Sequence, residues 1–286
     1  MLRSSYASFR SVVAGGGLVR VAGANSALAG VLAENAGFDA LWASSLEISA
    51  MRCLPDASLL GMSEYLRAAA EIQKAAGVPV VADCDTGFGN NLNVAHMMLE
   101  YEGAGITAVC IEDKVYPKMN SFADVDHALM PAAEFARKIS VAKGVQRSDD
   151  TFLIARTEAF IAGRPVEEVL ARCHAYADAG ADAVLVHSKV RTNHQILEFL
   201  DRWERACPVV IVPTTYPEWD WRDAHAAGVS VVIYANQGLR TVVAALRATY
   251  AEILAEGQTS GLEDRIASVK DVFALQRLDE WESLQS

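Results

Sequence analysis

The chain has 286 residues, 52% of them hydrophobic and 21% charged, an ordinary globular composition. A net charge of -11 excludes the basic face that nucleic acid or an acidic membrane surface requires, so an anion site must be built locally, from a metal or a few placed cations. Five cysteines without CxxC spacing, an N-terminus without an apolar signal core and the absence of any apolar run of roughly 18 residues exclude a disulfide framework, a zinc site and a membrane span, and place the chain in a reducing cytoplasm.

In chain order, the first dozen residues, with Arg3 and Arg10, read as a helix or arm packed outside the core. A unit then recurs: a small-residue turn, a short apolar strand, a polar strand end and a helical stretch. Residues 18–22 lead to Asn25, 40–43 to Ser44 and Ser45, 78–82 to Asp83 and Asp85, and 106–111 to Glu112. Residues 152–155 lead to Arg156, 183–186 to His187, 209–212 to Thr214, and 229–233 to Asn236. Helical patterns lie between them, among others over 93–101, 132–143, 166–179 and 193–204. Gly37, Gly77, Gly105, Gly180 and Gly228 each fall just before a strand, where glycine suits a left-handed helix cap. Strands apolar on both faces and alternating with helices mean a parallel sheet. Eight such units in one domain, 1–286, predict an α/β fold of the (β/α)8 TIM barrel type. A doubly wound sheet would need a glycine-rich turn after an early strand, and Gly15-Gly16-Gly17 precedes its strand instead. A helix over 238–255 follows the eighth strand, then an appendage over about 257–286 that carries Phe273 and Trp281. It packs either on a neighbouring subunit or back on its own barrel.

Polar residues at the carboxyl ends of barrel strands belong to the active site. Asp83, Asp85 and Glu112, joined by Asp56 from the loop after Ser44, would repel one another or take up protons in a shared pocket. A hard divalent cation removes that cost, and oxygen donors without paired His or Cys favour Mg²⁺ or Mn²⁺. Arg156 ends an apolar strand, a costly place for a guanidinium without an anion, and His187 at the next strand end can donate to the same anion. The stretch from Glu112 to Ser121 leaves its strand with two acids, two lysines, an asparagine and a serine, and reads as the active-site loop.

The set Trp42-Ala43-Ser44, Asp83 to Asn90, Glu112-Asp113-Lys114 with Pro117-Lys118, Ile154 to Ala159 and His187-Ser188 resembles the isocitrate lyase/phosphoenolpyruvate mutase superfamily, from about Ala22 to the C-terminus. The resemblance implies a Mg²⁺-dependent barrel, a homo-oligomer (dimer or tetramer) whose C-terminal helices swap between subunits, and a small phosphonate or enol phosphate substrate. It implies Asp83 as direct metal ligand with Asp85 and Glu112 beside it. It implies Trp42, Ser44, Ser45, Asn120, Ser121, Arg156 and His187 around the substrate, and Asp56, Lys118, Asn120, Arg156 and His187 as the catalytic set. Lyases of the superfamily carry a Lys-Cys-Gly-His-type loop; here Lys118-Met119-Asn120-Ser121 stands, without cysteine, and looks like the mutase branch. The implied reaction interconverts phosphoenolpyruvate and phosphonopyruvate. Pro55-Asp56-Ala57 and Thr215-Tyr216-Pro217 lean instead toward the phosphonopyruvate hydrolase sibling, and carbon–carbon lyase chemistry is the third expectation. The loop touches the chemistry and outweighs these departures.

Overall fold

A computed structural model describes residues 6–204 and 207–285, so Arg3 lies outside the described residues. Eight strands close in sequence order into one parallel barrel. They are β1 (Val19–Ala24), β2 (Ala40–Ala43), β3 (Val80–Asp83), β4 (Ala108–Glu112), β5 (Phe152–Thr157), β6 (Ala183–Val186), β7 (Val209–Ile211) and β8 (Val231–Tyr234). The helices begin with α1 (Phe9–Ala14), α2 (Ala27–Asn35), α3 (Ser45–Ala50), α4 (Met62–Ala75), α5 (Asn91–Gly103) and α6 (Ala132–Val145). They continue with α7 (Val166–Asp178), α8 (His194–Arg202), α9 (Trp221–Ala226), α10 (Gln237–Glu256), α11 (Val269–Leu275) and α12 (Leu278–Glu282). All eight expected strands are present, and the expected barrel is the observed one.

Each strand is buried on both sides because alternate residues serve different layers. Val19, Val21, Ala40, Trp42, Val81, Cys110, Ile154 and Leu185 fill the barrel interior. Leu41, Val80, Val109 and Leu153 face the surrounding helices. Gly37, Gly105, Gly180 and Gly228 adopt positive φ at the ends of α2, α5, α7 and α9, as expected of left-handed caps. Gly77 does not. Ala76 leaves α4 extended, with ψ 149, and the Gly77 amide donates to Glu34 Oε2 at 3.0 Å, which removes the need for a left-handed turn.

The N-terminal segment corrects a second expectation. Phe9 is fully buried, belongs to the interior cluster and meets Phe152 edge-on at 5.3 Å. Helix α1 is therefore not packed outside the core; it plugs the amino-terminal end of the barrel, held by Arg10 Nη2 to Asp182 Oδ1 at 2.7 Å.

At the other end of the chain, α10 to α12 contain no buried residue, and Val242, Leu246, Tyr250, Leu254, Phe273 and Trp281 are exposed. Within the appendage Leu262 is buried. Helix α10 is anchored at its start by Glu47 of α3, whose Oε1 accepts the Leu239 amide and whose Oε2 accepts Asn25 Nδ2, each at 3.3 Å.

Burial raises the Glu47 carboxyl to about 7 against these two hydrogen bonds. The folded protein thus binds a proton that the unfolded chain, with an ordinary glutamate near 4.3, has already released, so stability falls as pH rises from about 4 to about 7. The ceiling of this term is about 4 kcal/mol. Glu47→Gln should flatten the melting temperature between pH 5 and pH 8, measured by calorimetry; an unchanged slope would contradict the buried-carboxyl origin.

Candidate active site

The polar mouth follows from the two-residue period of the strands. Val81, Cys110, Ile154 and Leu185 point into the barrel, and two residues further along the same strands stand Asp83, Glu112, Arg156 and His187. Pairing of β4 with β5 sets Glu112 beside Arg156, whose Nε lies 3.2 Å from Glu112 Oε2. Trp42, the last large inward residue of β2, forms part of the floor.

Above this floor the loop after β4 folds inward. Lys118, 5% exposed, places its ammonium 2.9 Å from Asp56 Oδ1, 3.0 Å from Asp85 Oδ1 and 3.0 Å from Ser45 Oγ. Ser45 Oγ in turn donates to Asp83 Oδ2 at 2.8 Å, and its amide reaches the same oxygen at 3.2 Å. Asn120 Nδ2 donates to Asp56 Oδ2 at 2.8 Å, while its Oδ1 accepts the Phe122 amide at 3.0 Å. Ser58 ties the loop down from outside, accepting the Lys118 amide at 3.1 Å and donating to Asp85 Oδ2 at 3.3 Å. Ser44 Oγ caps α3 by accepting the Glu47 amide, which leaves its proton free to donate.

A second charged group lies on the β5 side. Glu158 is fully buried and takes Arg156 on one oxygen, Nε at 2.6 Å, and Lys114 on the other at 2.9 Å. Ser121 Oγ accepts from Lys114 Nζ at 2.8 Å and from Arg156 Nη2 at 3.0 Å, and donates to Glu158 Oε2. Behind them Asp113 accepts the Glu158 amide at 2.8 Å, Tyr176 Oη at 2.7 Å, Thr157 Oγ1 at 2.9 Å and Arg172 Nη1 at 3.2 Å. This rigid shell fixes Arg156 from the side and leaves Nη1 without a hydrogen bond among the described residues. Lys114, Glu158 and Ser58 are not strand-end residues, and position along the strands does not single them out. Glu158 has a legible signal all the same: it stands two residues after Arg156, within reach of the guanidinium.

Five buried carboxylates (Asp56, Asp83, Asp85, Glu112, Glu158) meet three cations (Lys114, Lys118, Arg156), so two negative charges are unmatched. Burial, then the neighbouring Asp83, Asp56 and Glu112, push Asp85 up to about 7 although Lys118 opposes them. Burial raises Glu112 as well, against Lys114 and Arg156. Asp56 goes the other way: burial would raise it, but Lys118 and the bond from Asn120 outweigh that and lower it. Burial, seconded by Arg156, lowers His187 to about 3, so its ring is neutral, with Nδ1 unpartnered and its face edge-on to Phe122 at 5.6 Å.

The donor set fits a hard divalent ion. It is all oxygen, it lacks two positive charges, and Glu112 Oε1 is buried with no hydrogen bond and only Lys114 at 3.8 Å. No three His, Cys, Asp or Glu side chains among the described residues converge into a ready cage.

The closed loop leaves a cavity of about 40 Å³ lined by Trp42, Ser44, Ser45, Leu46, Asp56, Asp83, Lys118, Asn120, Ser121, Phe122, Arg156, His187, Val212, Thr214, Ala235 and Asn236. Of the residues expected at the site, Asp85 and Glu112 stand behind this wall and the others form it. Asn25, expected among the converging strand ends, is turned away to Glu47. Thr215 is also outside the wall; its hydroxyl donates to the Ser188 carbonyl at 3.0 Å. A larger groove of about 470 Å³ on α11 and α12 lies outside the barrel mouth.

The phosphoenolpyruvate phosphomutase family model matches residues 9–254. The chain belongs to the phosphoenolpyruvate phosphomutase family. A phosphoenolpyruvate phosphomutase of Streptomyces hygroscopicus is 40% identical over 96% of this chain and 88% of its own length. A phosphonopyruvate hydrolase of Variovorax sp. (strain Pal2) is 39% identical over 94% and 93%. Among solved structures, a phosphoenolpyruvate phosphomutase from Streptomyces platensis subsp. rosaceus aligns with a TM-score of 0.95 at 49% identity, covering 96% of both chains. A phosphonopyruvate hydrolase in complex with oxalate and Mg²⁺ aligns with a TM-score of 0.91 at 38% identity, also over 96% of both chains. No helix of this family member is long and apolar enough to cross a membrane, among the described residues.

Removing the Glu158 charge leaves two buried cations, Arg156 and Lys114, to share Glu112. Glu158→Gln keeps the shape and should lower unfolding free energy by about 3 kcal/mol, read by urea denaturation. A change below about 0.5 kcal/mol would show that the pair is not held as described.

Proposed function

We propose that the protein is a phosphoenolpyruvate phosphomutase, an isomerase of small phosphonates that interconverts phosphonopyruvate and phosphoenolpyruvate. The observation that carries this reading is the loop held down over the mouth: Asn120 and Lys118 are both bound to Asp56. In the forward sense the C3–P bond of phosphonopyruvate breaks, the phosphoryl group moves to the C2 oxygen, and the electron pair left on C3 becomes the C2–C3 double bond. No water enters and no proton is exchanged.

The residues divide the work. Arg156, its guanidinium fixed by Glu158, presents Nη1 to the phosphoryl oxygens. Neutral His187 offers one ring N–H and adds no charge. Ser44 and the amides that follow it donate to the substrate carboxylate, and Trp42 supports the pyruvyl plane. A loose, metaphosphate-like group needs positioning more than covalent help, which rigid donors supply. Lys118 and Asn120, locked to Asp56, exclude water while the group is in transit. Asp83, with Asp85 and Glu112, would hold Mg²⁺, which would supply positive charge opposite the substrate's oxygens. Mn²⁺ suits the same oxygen donors.

The same proposal includes a homo-oligomer, a dimer or tetramer, in which the exposed apolar faces of α10 to α12 are covered by a neighbouring copy. It also includes a cytoplasmic setting, consistent with five free cysteines among the described residues.

Hydrolysis is the second reading, since the hydrolase relative is nearly as similar as the mutase relative. Phosphorus NMR of phosphonopyruvate incubated with the protein and Mg²⁺ separates the two: phosphoenolpyruvate as first product supports the mutase, free phosphate as first product overturns it. Asn120→Ala should lower mutase turnover about 10- to 100-fold, the cost of a lost bond to a charged group, and let phosphate appear. Unchanged turnover would remove Asn120 from the seal.

A further inference from the structure

Asn236 follows β8 and holds the N-cap position of α10, yet its side chain does not cap the helix. Asparagine at such a position ordinarily accepts an amide of the first helical turn. Here that amide, Leu239 N–H, is taken by Glu47 from α3, and Asn25 holds the other Glu47 oxygen. The Asn236 side chain is thereby released. Its backbone is set close against β1, where a Cβ on Gly23 would stand 2.4 Å from the Ala235 carbonyl oxygen, so only glycine lets the 235–236 segment approach.

The released amide faces the cavity. Asn236 is 6% exposed and lines the cavity wall; its Oδ1 has no hydrogen-bond partner, and Nδ2 has only Thr214 Oγ1 at 3.5 Å. A buried amide with so little satisfied is costly unless a ligand completes it. The two ends of an amide exchange by a half-turn about its last bond. One orientation accepts the Thr214 hydroxyl proton on Oδ1 and aims the NH₂ group at the cavity. Every oxygen of a carboxylate, enolate or phosphoryl dianion is an acceptor, so a donor is what such a substrate requires there.

We infer that Asn236 is a substrate-contacting residue, donating from its NH₂ group to an anionic oxygen on the β7–β8 side of the cavity. It stands on the β8 arc, between Ser44 and His187, where the residues assigned above leave a gap in the ring of donors. The role rests on the proposed function for the identity of the substrate, and on the cavity alone for its anionic character.

The variant that separates this role from a structural one is Asn236→Asp. Aspartate is as good an N-cap as asparagine and suits the positive end of a helix, so a residue that only shaped the start of α10 would tolerate it. A residue that donates to an anion would not. The inference predicts kcat/KM for phosphonopyruvate reduced about 10- to 100-fold in Asn236→Ala and further in Asn236→Asp, with the melting temperature of Asn236→Asp within about 2 °C of wild type. Asn236→Asp turning over at least as well as Asn236→Ala would overturn it, as would wild-type kinetics in both. If the wild-type protein does not turn over phosphonopyruvate, the proposed function falls. Calorimetric binding of phosphonopyruvate with Mg²⁺ then still decides: weaker binding in Asn236→Asp upholds the donor role, and equal binding removes it.

Discussion

The structure depends on one unequal pairing: a single buried ammonium, Lys118, shared between Asp56 and Asp85 at 2.9 and 3.0 Å, with Asp83 one hydroxyl away through Ser45. Three carboxylates around one cation are too many for a dry site, and the excess favours a further cation or a proton there. The β5 side is built differently. There Glu112 and Glu158 are matched by Lys114 and Arg156, so that group is electrically closed and serves as a rigid support. One side is balanced and holds its residues still; the other carries an excess of negative charge.

The loop after β4 joins the two sides. Lys118 and Asn120 reach the acid side through Asp56, and Ser121 reaches the cation side through Arg156, Lys114 and Glu158. Three side chains within four residues thus reach both sides of the mouth. Met119 is exposed on the same loop, while Phe122 is only partly exposed and lines the cavity. Hydrogen bonds and charge hold the loop over the mouth, with Phe122 edge-on to His187.

The barrel was legible because its signals are local and repeated: eight apolar runs, glycine caps and polar strand ends. The site followed from the same period, since Asp83, Glu112, Arg156 and His187 are each two residues beyond an inward-facing apolar residue. Where the reading failed, the competing partner was distant in sequence. Phe9 plugs the barrel through Phe152, Asn25 turns to Glu47, and Gly77 is relieved by Glu34. Glu158 and Asp113 read as ordinary motif residues, and their work of fixing Arg156 depends on Lys114, Ser121, Thr157, Tyr176 and Arg172 meeting in space. No local spacing announces such a network.

The charge excess is the central claim, and the number of divalent ions bound per chain tests it most directly. Titration of the metal-free protein with Mn²⁺, followed by electron paramagnetic resonance of the free ion, should show one ion per chain. Binding should be accompanied by proton release near pH 6.5, as the ion displaces the proton that Asp85, raised to about 7, otherwise holds. No stoichiometric ion, or one ion bound with no proton released, would contradict the account.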